Sequence, residues 1–517
     1  MLNTLKRDQI KEGAILSYVS LFLNTFISLL YTPFMLFKMG QSEFGLYSLA
    51  ISVVGYLTIL DFGFGSAAIR YIARYRALDD KNGEFRLNGL FFLVYTIIGI
   101  LTAAAGYALF RNVDALFAET LTSLEVERAR ILILLLVFNL AVSFPLGVFG
   151  SIITAYERFI FLKMMHIARI LLNPCIMIPL LIMGYRSIGL VVGATLLNLA
   201  ILLLSMLFCF KKLGIHFTFQ KIDFGLLKEI VVFSLFGFLT IMADRITWTA
   251  DHMILGVVSG TIAVAVFSVA AQINTYFLSF STALSGLFLP RLTAMFTNGA
   301  HEKEFSDIFI KIGRLQYLVV GYVLGGFLLV GQNFINHWAG QEYEEAFLIA
   351  CILMVPVAFP LIQNTGISIL QAQNKQKFRA VTYILIAAVK VGISIPLARA
   401  YGGIGCAAGT AIALIVGTII IMNIYYYKVI HLDIPGFWKE IGKMTIPMVV
   451  AFSGTYGIIR LIGGNDVTSI LIHCFIYTIA YMPMMWFFGM NDYEKRLIGS
   501  PLVRIRKERK DNLSGMG

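Results

Sequence analysis

Charge is scarce in this chain: 14% of its 517 residues are Asp, Glu, Lys or Arg, where soluble domains run near a quarter. An ordinary soluble globular protein is thereby excluded. Cysteine is sparse too, and Cys175, Cys209, Cys351, Cys406 and Cys474 all fall in apolar runs at wide spacing. That excludes a cysteine metal site or a disulfide framework and leaves packing as their role. Long polar segments are missing, since apart from the C-terminal tail the connecting stretches are short, of the order of residues 67–87 and 111–130. They leave no room for a soluble catalytic domain. A glycine-rich loop ending in Lys-Ser or Lys-Thr is also absent, so direct nucleotide hydrolysis has no support.

What the chain does have is hydrocarbon: 58% hydrophobic residues and a mean hydropathy of +0.82. A helix needs about 20 apolar residues to cross a bilayer core. By that measure fourteen spans are expected, near 13–37, 44–66, 88–110, 131–155, 164–184, 187–210, 233–257, 262–289, 315–334, 346–370, 380–400, 403–427, 444–462 and 468–489. The expected fold is an all-α polytopic membrane protein. The first run is too long for a signal-peptide core and is read as a retained span. The net charge of +12 lies mostly between spans, so it reports topology rather than nucleic-acid binding. Of the 41 Lys and Arg, 31 fall on one side, 7 on the other and 3 inside spans, which places both termini in the cytoplasm. The basic tail, with Arg504, Arg506, Lys507, Arg509 and Lys510, is read as a topology anchor or as a contact for anionic headgroups.

The chain is internally repeated. Gly40-Gln-Ser-Glu-Phe-Gly-Leu-Tyr-Ser-Leu-Ala50 returns, degraded, as Gly260-Thr-Ile-Ala-Val-Ala-Val-Phe-Ser-Val-Ala270, and Ile188-Gly189 with Gly193 returns as Ile404-Gly405 with Gly409. A repeat of this kind marks a duplicated unit. It implies a cytoplasmic N-terminus (1–12), two six-helix lobes (13–228 and 229–428), two additional helices (444–489) and a cytoplasmic tail (490–517). The same offset centres Asp244 and Arg245 within the seventh span.

These halves, together with Gly40-x-x-x-Phe44-Gly45-x-Tyr47-Ser48, Leu60-Asp61-Phe62-Gly63-Phe64-Gly65 and Ala68-Ile69-Arg70-Tyr71-Ile72-Ala73, resemble the polysaccharide-exporter branch of the multidrug/oligosaccharidyl-lipid/polysaccharide exporter superfamily. The resemblance covers roughly residues 10–430 and rests on glycine, aromatic and charge patterns rather than on a catalytic signature. It implies two lobes around a cavity that opens alternately to each side. It also implies movement of an undecaprenyl-pyrophosphate-linked oligosaccharide across a bacterial inner membrane, for cell-surface polysaccharide biosynthesis.

A charge at mid-bilayer costs about 2.5–3.5 kcal/mol on insertion scales, so it faces a partner or a water-filled cavity. Arg245 and Lys390 fall near the middle of their spans, and Arg169 lies one and a half turns inside span five, where snorkelling competes with cavity lining. Arg245, Trp248, Thr249 and His252 share one helical face, while Asp244, Trp248 and Asp251 form an adjacent stripe. A wall of Arg, Trp and acids suits an anionic diphosphate and a sugar chain. The competing reading is that Asp244 or Asp251 neutralises Arg245 within the bundle. Lys390 has no acid in its own span and is read as cavity-lining. Asp61 is read as capping Arg70 or Arg74, and His166 and His473 as packing residues.

The leading expectation is therefore a lipid-linked oligosaccharide flippase, not an enzyme, with no cofactor and with a proton, Na⁺ or the membrane potential as energy source. A multidrug and toxin extrusion exporter and a lipid II flippase are the transport alternatives. A membrane polymerase or ligase would need clustered acid and base groups at one face. The partners expected are the lipid-linked oligosaccharide, membrane lipids and the polysaccharide polymerase machinery, with no nucleic acid, and the chain is expected to act as a monomer.

Overall fold

A computed structural model describes residues 2–219, 224–285, 301–373 and 375–497, together with residues 292 and 295. The basic tail from residue 498 onward lies outside the described residues. In chain order the helices are α1 (Leu2–Met39), α2 (Gln41–Gly55), α3 (Phe64–Ala77), α4 (Lys81–Arg111), α5 (Val113–Phe117), α6 (Ser123–Ala155), α7 (Phe159–Ile182), α8 (Arg186–Phe208) and α9 (Phe224–Val258). They continue as α10 (Gly260–Ser285), α11 (Glu302–Trp338), α12 (Glu345–Ile362), α13 (Asn364–Ala372), α14 (Gln376–Leu414), α15 (Met422–Lys428), α16 (Ile434–Ile462) and α17 (Val467–Met484). The regular elements among the described residues are all helical, as hydrocarbon demands of a chain that must satisfy its own backbone hydrogen bonds.

Twelve stretches among the described residues are long and apolar enough to span a membrane. Fourteen were expected, and the difference has two sources. The expected spans at 380–400 and 403–427 form one stretch of 52 residues, Lys377–Lys428, whose backbone breaks at Gly402 (φ 57°, ψ −132°). The span expected at 233–257 lies within α9, which is not among the twelve. Span two is also not one helix. After α2 it tightens into a 3-10 turn, Tyr56–Asp61, and then reverses hand at Phe62 (φ 49°) and Gly63 (φ 75°) before α3 begins. The Asp61-Phe62-Gly63 motif is the joint itself.

The chain forms two compact units: Met1–Ala271 with Lys377–Ala413, and Gln272–Gln376 with Leu414–Gly517. Helix α9 and the first part of α10, assigned by the repeat to the second half of the chain, group with the first unit. Its core is aromatic and aliphatic, with Tyr71, Phe91, Phe149 and Ile152 buried where α3, α4 and α6 meet. Such contacts hold helices together in lipid by close packing rather than by water exclusion.

The repeat has a conformational basis. Gly40 (φ 76°) and Gly260 (φ 82°) both start a helix from a left-handed turn, which a Cβ disfavours. The two copies meet, because a Cβ on Gly45 would strike the Thr261 carbonyl. A carboxylate fastens the contact. Glu125 Oε1 accepts from Ser42 Oγ (2.5 Å) and Thr261 Oγ1 (2.8 Å), while its other oxygen closes a capping box with Thr122 N (2.9 Å) at the start of α6. Beside it, buried Glu43 accepts from Arg128 Nη1 (2.5 Å) and from Ser187 Oγ at the start of α8. Arg130, on the same helix as Arg128, pairs with Asp114.

In the second unit the two additional helices pack on α11 through Tyr477, Tyr481, Met444 and Met485. Arg314, 4% exposed, donates to Glu494 Oε1 (2.6 Å) and Oε2 (3.0 Å), to Glu440 Oε2 (2.8 Å) and to the Gly489 carbonyl (2.8 Å). One guanidinium therefore joins α11, α16 and the segment after α17.

Candidate functional site

Helix α7 begins at Phe159 rather than at 164, because residues expected in a connecting loop continue the helix. Arg169 is consequently the eleventh of its 24 residues, about 15 Å along the axis at 1.5 Å per residue. That is mid-span, out of easy snorkelling reach. Its guanidinium donates to Asn198 Oδ1 of α8. Asn198, buried, in turn donates to Asn139 Oδ1 (2.8 Å) and Ser143 Oγ (2.7 Å) on α6. The chain of supports is neutral from end to end. Among the described residues no carboxylate pairs with Arg169.

Arg169 opens onto a cavity of about 320 Å³ in the first unit, formed by α1, α7 and α8 and lined also by Asn24, Ser28, Tyr31, His166 and Asn173. This volume falls at the lower end of small-ligand sites. Two amides, two hydroxyls, an imidazole and an unpaired cation on the exposed face of apolar helices are costly toward lipid and natural toward water. Chemically the set can hold an anion at the guanidinium and sugar hydroxyls at the amides. His166, expected as a packing residue, is exposed and belongs to this lining.

The other expected residues divide. Lys390, fully buried, donates to Asp251 Oδ2 (2.9 Å) and to the Thr247 carbonyl, and Thr410 Oγ1 donates to the same carboxylate oxygen (2.9 Å). The acid missing from Lys390's own span is supplied by α9. Asp251 is 2% exposed, so the stripe Asp244, Trp248, Asp251 does not face one way: Asp244 and Trp248 are exposed while Asp251 turns inward. Arg245 is exposed, and neither Asp244 nor Asp251 lies within ion-pair distance of it among the described residues. His252 packs edge-on against Phe267 of α10 (5.3 Å), which takes it out of the face expected to hold Arg245 and Trp248. Asp61 accepts from Tyr95 Oη (2.8 Å) instead of capping an arginine, Arg74 pairs with Glu229 (3.7 Å), and Arg70 stacks on Phe233.

Asn24, Asn173, Asn198 and Tyr31 are neutral, so intramembrane charge does not point to them. The signal was present as amides in apolar runs, which need a partner or water as charges do.

Residues 10–296 match the family model described as "Polysaccharide biosynthesis protein", which is more than half of the chain. The chain belongs to that family. Two relatives extend the kinship beyond the matched region. The "Uncharacterized membrane protein EpsK" of Bacillus subtilis is 24% identical over 79% of this chain and 81% of its own length. The "Putative O-antigen transporter" of Shigella flexneri is 23% identical over 75% of this chain and 90% of its own. In architecture this family member is similar to the lipid II flippase MurJ in an inward closed conformation, with a TM-score of 0.69 at 16% identity, covering 95% of this chain and 99% of that one. The family and these folds are those of multi-pass membrane proteins, and the relatives with assigned roles carry names of transporters and flippases rather than enzymes.

Proposed function

We propose that the chain is a flippase that carries a lipid-linked glycan across the membrane, with the headgroup passing through a polar cavity while the lipid tail remains in the bilayer. The observation that carries this reading is Arg169: a mid-span guanidinium, held by the neutral amide of Asn198 and facing a hydroxyl- and amide-lined cavity, with no carboxylate paired to it among the described residues. A protein that keeps an uncompensated cation there gains an anion site, and a diphosphate-linked sugar presents both anion and hydroxyls. The names of the Shigella relative and of the MurJ neighbour, an O-antigen transporter and a lipid II flippase, support the same class. Exposed Arg245 is a second cation of this kind, accompanied by Trp248. The finer reading is an undecaprenyl-pyrophosphate oligosaccharide moved outward across a bacterial inner membrane, with the side that holds 31 of the 41 Lys and Arg in the cytoplasm. A gradient or the membrane potential drives the cycle, and surface-polysaccharide polymerase machinery receives the product.

Organic-cation export is disfavoured by Asp251, the most buried of the acids in α9, because its Oδ2 is already bonded to Lys390 and Thr410. The test is transfer of a fluorescent polyprenyl-diphosphate oligosaccharide in proteoliposomes. The parent should move it, and Arg169→Gln should slow transfer about tenfold or more, the worth of a charge-assisted hydrogen bond. If the parent moves no such lipid but exports organic cations down an ion gradient, the drug-exporter reading replaces this one.

A further inference from the structure

A second cleft of about 370 Å³ lies in the first unit, away from the Arg169 cavity, lined by Arg158, Ile160, Phe161, Met164, Phe208, Lys212 and Leu213. Its walls come from two irregular chain ends. Arg158 is the N-cap of α7, reached through a left-handed Glu157 (φ 58°). Lys212 belongs to a π-helical turn, Cys209–Leu213, that widens the end of α8 and stops at left-handed Gly214 (φ 63°). Single π turns inserted at helix ends recur at functional sites. Between the two ends Phe161 and Phe208 stack face to face, their centroids 4.0 Å apart. Met164 stands 55% exposed at the same wall.

Three features separate this cleft from an ordinary basic helix end. Arg158 and Lys212 face one cavity from different helices, and neither has an ion-pair partner among the described residues. The rest of the lining is apolar and aromatic, which suits an alkyl chain and repels a freely soluble anion. The cleft also lies at the start of α7 and just past the end of α8, two helices apolar and long enough to span, and basic pockets between spanning helices hold anionic lipid heads.

We propose that this cleft binds a membrane phospholipid with an anionic headgroup, its phosphate between Arg158 and Lys212 and its acyl chain along Phe161, Met164 and Phe208. A zwitterionic lipid is a poor match, because its own ammonium would enter beside two cations. This site is independent of the transported substrate and of the flippase reading.

The test is native mass spectrometry of the purified full chain with added cardiolipin, phosphatidylglycerol or phosphatidylcholine, with inorganic phosphate and farnesyl diphosphate as competitors. One anionic lipid should remain bound with at least tenfold preference over phosphatidylcholine. The double variant Arg158→Gln/Lys212→Gln should lose that preference at least tenfold. Arg158→Lys should keep it, and Lys81→Gln/Arg86→Gln, the same charge loss elsewhere on the basic side, should leave it unchanged. All four proteins are compared at equal monodispersity, and since these cations are exposed their loss should not unfold the chain. Equal retention of phosphatidylcholine, or a double variant that binds like the parent, overturns the proposal. So does displacement of the lipid by inorganic phosphate, which would make the cleft a simple phosphate site. Displacement by farnesyl diphosphate at equimolar amounts overturns it too, by assigning the cleft to an isoprenoid diphosphate.

Discussion

Arg169 and Lys390 are both cations inside apolar helices of the same unit, and the structure treats them in opposite ways. Lys390 is enclosed completely, with a carboxylate and a carbonyl at its ammonium and a threonine on the same carboxylate. Arg169 is left open, its hydrogen-bond partner among the described residues an amide backed by further neutral groups. A compensated cation holds helices together; an uncompensated one remains available to a ligand. Mid-membrane charge by itself therefore does not separate a cation that ties helices together from one left open to a ligand, whereas the charge of its partners does.

That contrast can be broken most forcefully at the closed pair. Lys390→Met leaves Asp251 buried without its counter-charge and should destabilise the protein by about 3–5 kcal/mol. The double variant Lys390→Met/Asp251→Leu should regain most of that loss, both followed by thermal or denaturant unfolding in detergent. A stable single variant would mean that the pair does not hold α9 to α14. Arg314→Met tests the same principle in the second unit, where Glu494 is 0% exposed and Glu440 31% exposed. A loss of about 2–4 kcal/mol is expected there, below that for Lys390 because one partner is wet.

At the open site the order of readouts reverses. Arg169→Gln should alter stability by less than about 1 kcal/mol, as surface changes do, while lipid-linked glycan transfer falls; a stability loss matching that of Lys390→Met would erase the distinction between the two sites. Asn198→Leu frees the guanidinium from its support and should slow transfer about three- to tenfold with a stability cost of about 1–2 kcal/mol. The smallest effect is expected for Ser42→Ala, about 0.5–1 kcal/mol, since Glu125 keeps its bonds to Thr122 and Thr261.

Much of the architecture is legible in the chain because lipid allows so few solutions: apolar runs of spanning length become helices, and the Gly40 and Gly260 motifs return as matching helix starts. Boundaries were less legible. Residues 67–87 read as a loop but contain most of α3 and the first turns of α4, since polar residues at a membrane face extend helices as readily as they end them. The pairing of Asp251 with Lys390 was hidden by distance, 139 residues along the chain, and hydropathy carries no information about which helices become neighbours. Arg169 was recognised, but its depth was underestimated by the five residues between 164 and Phe159.

The carboxylate of Glu125 gives the repeat a mechanical property that neither copy has alone. Its two oxygens bind hydroxyls at the starts of α2 and α10 and the backbone where α6 begins, so three helix ends share one knot. A side-chain contact stretched to about 3.6 Å is no longer a hydrogen bond. Withdrawal of either repeat copy by about 1–2 Å would thus untie that copy from the knot. Separation of the two copies at this end of the first unit therefore requires that a hydrogen bond to Glu125 be given up.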